Sequence, residues 1–160
     1  MVSRNLSKPL DSIGCEAAAM KRQSARSATI IIIMTTDYEN LQEGIRELEL
    51  PPIECFRNIY ADRDYRVRLE IQEFNSICPK TGLPDFGTID VEYVPDELLA
   101  EMKSLKLYIT AFRNVGIFQE NVVNRLLDDF VSFVKPRSVT ITGTFRARGG
   151  IATVVRASRP

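Results

Sequence analysis

The sequence predicts an α+β domain in which an antiparallel sheet carries two helices on one face. Two alternating runs (65–72 and 88–94) precede two amphipathic segments (96–112 and 120–134), and two more alternating runs (139–145 and 151–157) follow them. The order is therefore strand-strand-helix-helix-strand-strand. Hairpins flanking a helical pair give an antiparallel sheet without crossover connections.

The first strand is read from Val67, Leu69 and Ile71, which alternate with Arg66, Arg68, Glu70 and Gln72 and so leave one face for a core. The second repeats this pattern, with Ile89, Val91 and Tyr93 opposed to Asp90 and Glu92. Leu98, Met102, Leu105 and Ile109 recur at helical spacing and predict a helix from about Asp96 to Phe112. A second helix, from about Glu120 to Val134, is read from Val123, Leu126, Leu127, Phe130 and Val134, and Lys135-Pro136-Arg137 ends it. Val139, Ile141 and Phe145 then alternate with threonines, and Ile151 to Ala157 forms the last strand after Gly149-Gly150. An open sheet of four strands leaves two edges, which favours association between copies.

The first 33 residues are different in kind, with five serines, an Ala17-Ala18-Ala19 run and Ile30 to Ile33. Four isoleucines are far too short to span a bilayer. The expected organisation is a disordered extension over 1–36 and a single folded domain over 37–160, with 37–64 a poorly structured arm before the first strand. The 160 residues can bury a sizeable core. Basic and acidic residues balance at 21 each, so bulk charge advertises neither nucleic acid nor an anionic membrane. The chain contains no histidine, which removes Ser-His-Asp and Cys-His hydrolases and the histidine-rich zinc enzymes. Cys15, Cys55 and Cys78 form no CxxC pair and are too few for a usual four-ligand zinc site, so no metal is expected. Their odd number fits free thiols in a reducing cytoplasm.

The chemistry concentrates between the first two strands, where Cys78-Pro79-Lys80-Thr81-Gly82-Leu83-Pro84-Asp85 sets a thiol and a carboxylate around a turn fixed by two prolines and a glycine. A thiolate is a nucleophile, and a nearby acid can protonate what it attacks. A lone cysteine is otherwise a small buried hydrophobe. On the first helix, Lys103 and Lys106 share a face and suit phosphates, or simply face water. Phe118 and Glu120 offer a ring to stack on and a carboxylate to accept from N–H groups, although an acid there also suits a helix N-terminus. Arg148-Gly149-Gly150 is a hairpin turn or a loop approached by phosphate.

Taken together, the CPKTGLPDFGTI, EMKSLKLY, FRNVGIFQE and RGGI segments resemble the NADPH-dependent 7-cyano-7-deazaguanine reductases, the QueF family of queuosine biosynthesis, over about residues 57–157. The resemblance implies the tunnelling fold, in which subunits close their sheets into an oligomeric barrel. It also implies a decamer of two pentamers with active sites between subunits. Cys78 would form a covalent thioimide with the nitrile carbon, Asp85 would protonate the nitrogen, and two NADPH would reduce the nitrile to the aminomethyl group. Phe118, Gln119 and Glu120, with the strip Ala100-Glu101-Met102, would bind the deazaguanine. Lys103, Lys106, Arg148 and Gly149 would bind NADPH. No direct contact with nucleic acid or membrane is implied.

The chain departs from the family pattern at two positions. Gln119 stands where the family usually has histidine beside the substrate glutamate, and Met102 where serine or leucine is more usual. Glutamine hydrogen-bonds but does not ionise near neutrality. Two alternatives follow from the same resemblance. One is an archaeosine-type amidinotransferase, which uses the same cysteine and aspartate on a nitrile base in tRNA without NADPH. The other is a catalytically weakened tunnelling-fold binding protein.

Overall fold

The computed structural model describes residues 50–160. The expected extension over 1–36 and the first part of the arm, 37–49, lie outside the described residues. Nine elements follow: β1 (Cys55–Arg57), β2 (Val67–Ile77), β3 (Pro84–Val94), β4 (Leu98–Ala100), α1 (Met102–Ala111), a 3-10 turn (Phe112–Asn114), α2 (Gln119–Val134), β5 (Ser138–Arg148) and β6 (Ile151–Arg159). The four long strands form one antiparallel sheet in the order β2-β3-β5-β6.

The expected alternation holds in β3, where Asp85, Gly87, Ile89, Val91 and Tyr93 are all buried. These residues meet the apolar faces of the helices, including Leu105, Tyr108 and Ile109 of α1 and Val122, Val123, Leu126 and Phe130 of α2. The opposite face carries charge. Arg66 pairs with Glu92 at 2.8 Å and Arg68 with Asp90 at 2.7 Å, both across β2 and β3. Such exposed pairs hold register weakly, and the sheet depends on the covered face.

One irregularity sets the geometry of the site. Ile71 stands opposite Ile89, but Phe74 stands opposite Gly87, so β2 contains one residue more than β3 over this stretch. The bulge inverts the phase of β2. Inward positions shift from Val67, Leu69 and Ile71 to Phe74 and Ser76, which are both buried. Phe74 then seats its ring against Phe112 and Phe145, with centroids 5.6 and 6.2 Å away.

Two expectations are corrected. Residues 50–64 are not a loose arm, because Ile53 is buried in the core and β1 pairs with β4 in a small second sheet. The first helix begins at Met102 rather than near Asp96, because Leu98–Ala100 is taken up by that pairing. Glu101 caps the helix, its carboxylate accepting from the amides of Lys103 at 2.8 Å and Ser104 at 2.7 Å. Met102, read as an apolar face position, is exposed as the first residue of the helix.

Candidate active site

Cys78 follows the last residue of β2, and the turn after it is closed by its own backbone. Its carbonyl accepts from the amide of Gly82 at 2.8 Å, and its amide donates to the Leu83 carbonyl at 2.9 Å. Gly82 has a φ of 70°, a left-handed conformation that glycine adopts without a Cβ penalty. The chain therefore returns at once into β3, and Asp85 comes to lie directly opposite Ser76, two residues before the thiol. The CPKTGLPD turn thus returns Asp85 alongside the strand end that leads into Cys78.

The other walls come from distant parts of the chain. Ile77 forms a parallel bridge to Gly116, its amide donating to the Val115 carbonyl at 3.0 Å and its carbonyl accepting from Ile117 at 3.0 Å. This anchor delivers the N-terminus of α2 to the strand end, where the Gln119 side-chain amide donates to Asp85 Oδ1 at 2.9 Å. From the end of β5, Arg148 reaches the same oxygen at 2.9 Å, and its guanidinium also lies 3.4 Å from the Leu83 carbonyl. Asp85 is almost fully buried, so this pair is shielded from screening as the surface pairs are not.

Cys78 is half-buried with a free thiol. Burial pushes the thiol up, but hydrogen bonds from the Thr81 hydroxyl, the Arg148 guanidinium and the amides of Thr81 and Lys80 together hold it below its ordinary value. Cys55 differs, since burial raises it. The guanidinium that pairs with the Asp85 carboxylate therefore also favours the Cys78 thiolate. Among the described residues, no cluster of His, Cys, Asp and Glu suits a metal ion.

Phe118 and Glu120 flank Gln119 at the start of α2, Phe118 half-buried and Glu120 exposed. Ala100, Glu101, Met102 and Lys103 lie elsewhere. Ala100 pairs with Cys55, whose Sγ lies 3.4 Å from the Phe133 carbonyl at the far end of α2. Nine residue steps along β3 separate Asp85 from that end of the sheet, about 30 Å at ~3.3 Å per residue. Lys106 is one turn beyond Lys103 and lines a groove between α1 and the Arg68–Glu73 stretch of β2. Within one subunit the thiol–carboxylate pair and the 100–103 strip do not meet.

The family model described as QueF-like protein matches residues 84–160. The NADPH-dependent 7-cyano-7-deazaguanine reductase of Chlorobium phaeovibrioides is 57% identical over 106 residues, covering 66% of this chain and 91% of its own. The chain belongs to the QueF family of 7-cyano-7-deazaguanine reductases. The reductase of the same name from Elusimicrobium minutum is 51% identical over 67% of this chain and 80% of its own length. The crystal structure of the apo archaeosine synthase QueF-Like matches with a TM-score of 0.55 at 26% identity, covering 58% of this chain and 91% of that one. That likeness carries the tunnelling fold.

In this QueF-family chain, sequence reasoning singled out Cys78, Asp85, Gln119 and Arg148; the structure joins Gln119 and Arg148 to Asp85, at the end of the turn that Cys78 opens. Reading the sequence left two things unseen. Thr81 supports the thiol, a role that a threonine three residues after a turn-opening cysteine could have suggested. Arg148, assigned to NADPH by resemblance, pairs with Asp85 itself and helps to lower the Cys78 thiol. No sequence spacing reveals that convergence, because a hairpin creates it. Among the described residues, no helix is long and apolar enough to cross a membrane.

Proposed function

We propose that this protein reduces the nitrile of 7-cyano-7-deazaguanine to the aminomethyl group at the expense of NADPH, within queuosine biosynthesis in the cytoplasm. The observation that carries this reading is Asp85, buried and held by Arg148 and Gln119, at the end of the turn that Cys78 opens. The Cys78 sulfur attacks the nitrile carbon, and one C≡N π pair moves to nitrogen. That nitrogen takes a proton from the Asp85 carboxyl, leaving a neutral thioimide and a carboxylate.

Phe118 stacks on the heterocycle and Glu120 accepts from its N–H edge. NADPH, when bound, supplies the hydride. Lys103 and Lys106 are exposed and separated by one turn of α1, which suits its phosphates. Gly149 and Gly150, with φ of 57° and 82°, leave open space where a Cβ would project and so permit close approach. The amidinotransferase reading is not preferred, since the archaeosine synthase is 26% identical whereas the named reductases exceed 50%.

The separation of residues 100–103 from Asp85 supports a site completed by a second copy, in a homo-oligomer of two pentamers. Co-expressing a Cys78→Ala subunit with a Lys103→Ala/Lys106→Ala subunit tests this. Recovery of activity absent from either alone is expected, and no recovery overturns the shared site. The activity itself is tested by following NADPH absorbance with purified enzyme and the nitrile. Consumption of about two NADPH per nitrile, abolished by Cys78→Ala, is expected. Absence of both NADPH oxidation and a mass-detected thioimide would overturn the reading.

A further inference from the structure

The Ser76 side chain is 1% exposed, and its Oγ has no hydrogen-bond partner among the described residues. Burying a hydroxyl without a partner is unfavourable, and β2 would lose nothing in strand propensity with an apolar residue there. Ser76 also occupies a telling place. It stands directly opposite Asp85 in the β2–β3 register, and both side chains turn to the helix-covered face. Opposed residues in antiparallel strands have Cβ atoms about 5 Å apart, so one rotamer change or one bridging molecule brings Oγ to the carboxyl group.

We infer that Ser76 is a positioning residue for Asp85, its hydroxyl held in reserve for the carboxylate that forms once the proton has passed to the nitrile nitrogen. The inference rests on the proposed reaction. At rest, Gln119 and Arg148 both bond to Oδ1 of Asp85. When the Asp85 O–H bond breaks and its electron pair stays on the carboxyl oxygen, the new charge appears in a buried pocket. Its surroundings are Arg148 on β5, Gln119 on α2, Cys78 at the turn and Ser76 on β2. A donor that gains its partner only after proton transfer stabilises the product side and the transition state, not the resting state.

Ser76→Ala separates this role from a packing role. Removing an unpartnered buried hydroxyl leaves folding neutral or improved, so Tm holds or rises. The rate of Cys78 adduct formation at saturating 7-cyano-7-deazaguanine should nevertheless fall about ten- to a hundredfold, the range for a lost hydrogen bond to a charged group. Nitrile affinity, measured in the Cys78→Ala background, should change less than about twofold, and Ser76→Thr should restore much of the rate. Three outcomes overturn the inference: an undiminished Ser76→Ala rate, equal losses in rate and affinity, or alanine and threonine variants that are both slow with lowered Tm. A wild-type protein that forms no adduct overturns the reductase reading instead.

Discussion

Gln119 donates its side-chain amide to Asp85 Oδ1 at 2.9 Å, tying the first residue of α2 to the candidate proton donor. Gln119 is therefore an Asp85 ligand, and it cannot change its own charge near neutrality. Gln119→Leu should retain the fold and lower the rate of adduct formation about tenfold or more, while Gln119→His should stay active. With histidine in place, a new ionisation near pH 6–7 should enter the rate profile. A Gln119→Leu rate equal to wild type would show that Arg148 alone suffices to hold Asp85.

Arg148 lowers the Cys78 thiol and pairs with Asp85. Since the guanidinium favours the thiolate, its removal moves thiolate formation to higher pH. Arg148→Gln should therefore shift the pH profile of iodoacetamide alkylation at Cys78 upward, leave that at Cys55 unmoved, and lower reductase turnover. Site-resolved mass spectrometry distinguishes the two thiols. An unshifted Cys78 profile would leave Thr81 and the turn amides as the effective groups.

Glu101 caps α1, and the Lys103 and Ser104 amides hold its carboxyl below its ordinary value of 4.5. A carboxyl whose folded value is depressed adds stability above the unfolded value and loses it as pH falls through the folded one. Urea midpoints measured from about pH 6 to about pH 3 should thus fall more steeply in wild type than in Glu101→Gln, which starts lower. Parallel curves would mean that the cap adds no pH-dependent stability.

Gly87 lies where β3 meets β5, and a Cβ built on it would come within 2.8 Å of the Thr144 carbonyl oxygen. A backbone atom cannot swing aside as a side-chain tip can. Gly87→Ala should cost about 1–3 kcal/mol in urea denaturation, the usual scale of overpacking. An unchanged midpoint would show that the strands can separate locally without loss.

β3 and α2 were legible because each has one buried face and one wet face along its whole length. The start of α1 was not. Leu98, Met102, Leu105 and Ile109 keep helical spacing across a boundary that only the pairing of β4 with β1 creates. Glu101 sits inside that apparent period as the cap, so periodicity alone passes over it. In the site, Cys78 and Asp85 were legible because a short turn joins them. Their bonds to Gln119 and Arg148 were not, since they depend on the Ile77–Gly116 bridge and the β5–β6 hairpin, both tertiary.

The bulge between Ile71 and Phe74 makes the number of residues there a chemical quantity. Cys78 shares the parity of Phe74 and Ser76, so it is counted onto the covered side with Asp85 only after the extra residue has been inserted. Removing a single residue at Gln72 or Glu73, both exposed, would present the nucleophile to solvent and bring its neighbours inward. Substitution and deletion therefore have opposite meanings at these two positions. Many side chains can serve there, but the spacing is fixed, and an insertion or deletion would silence a site whose own residues are all intact.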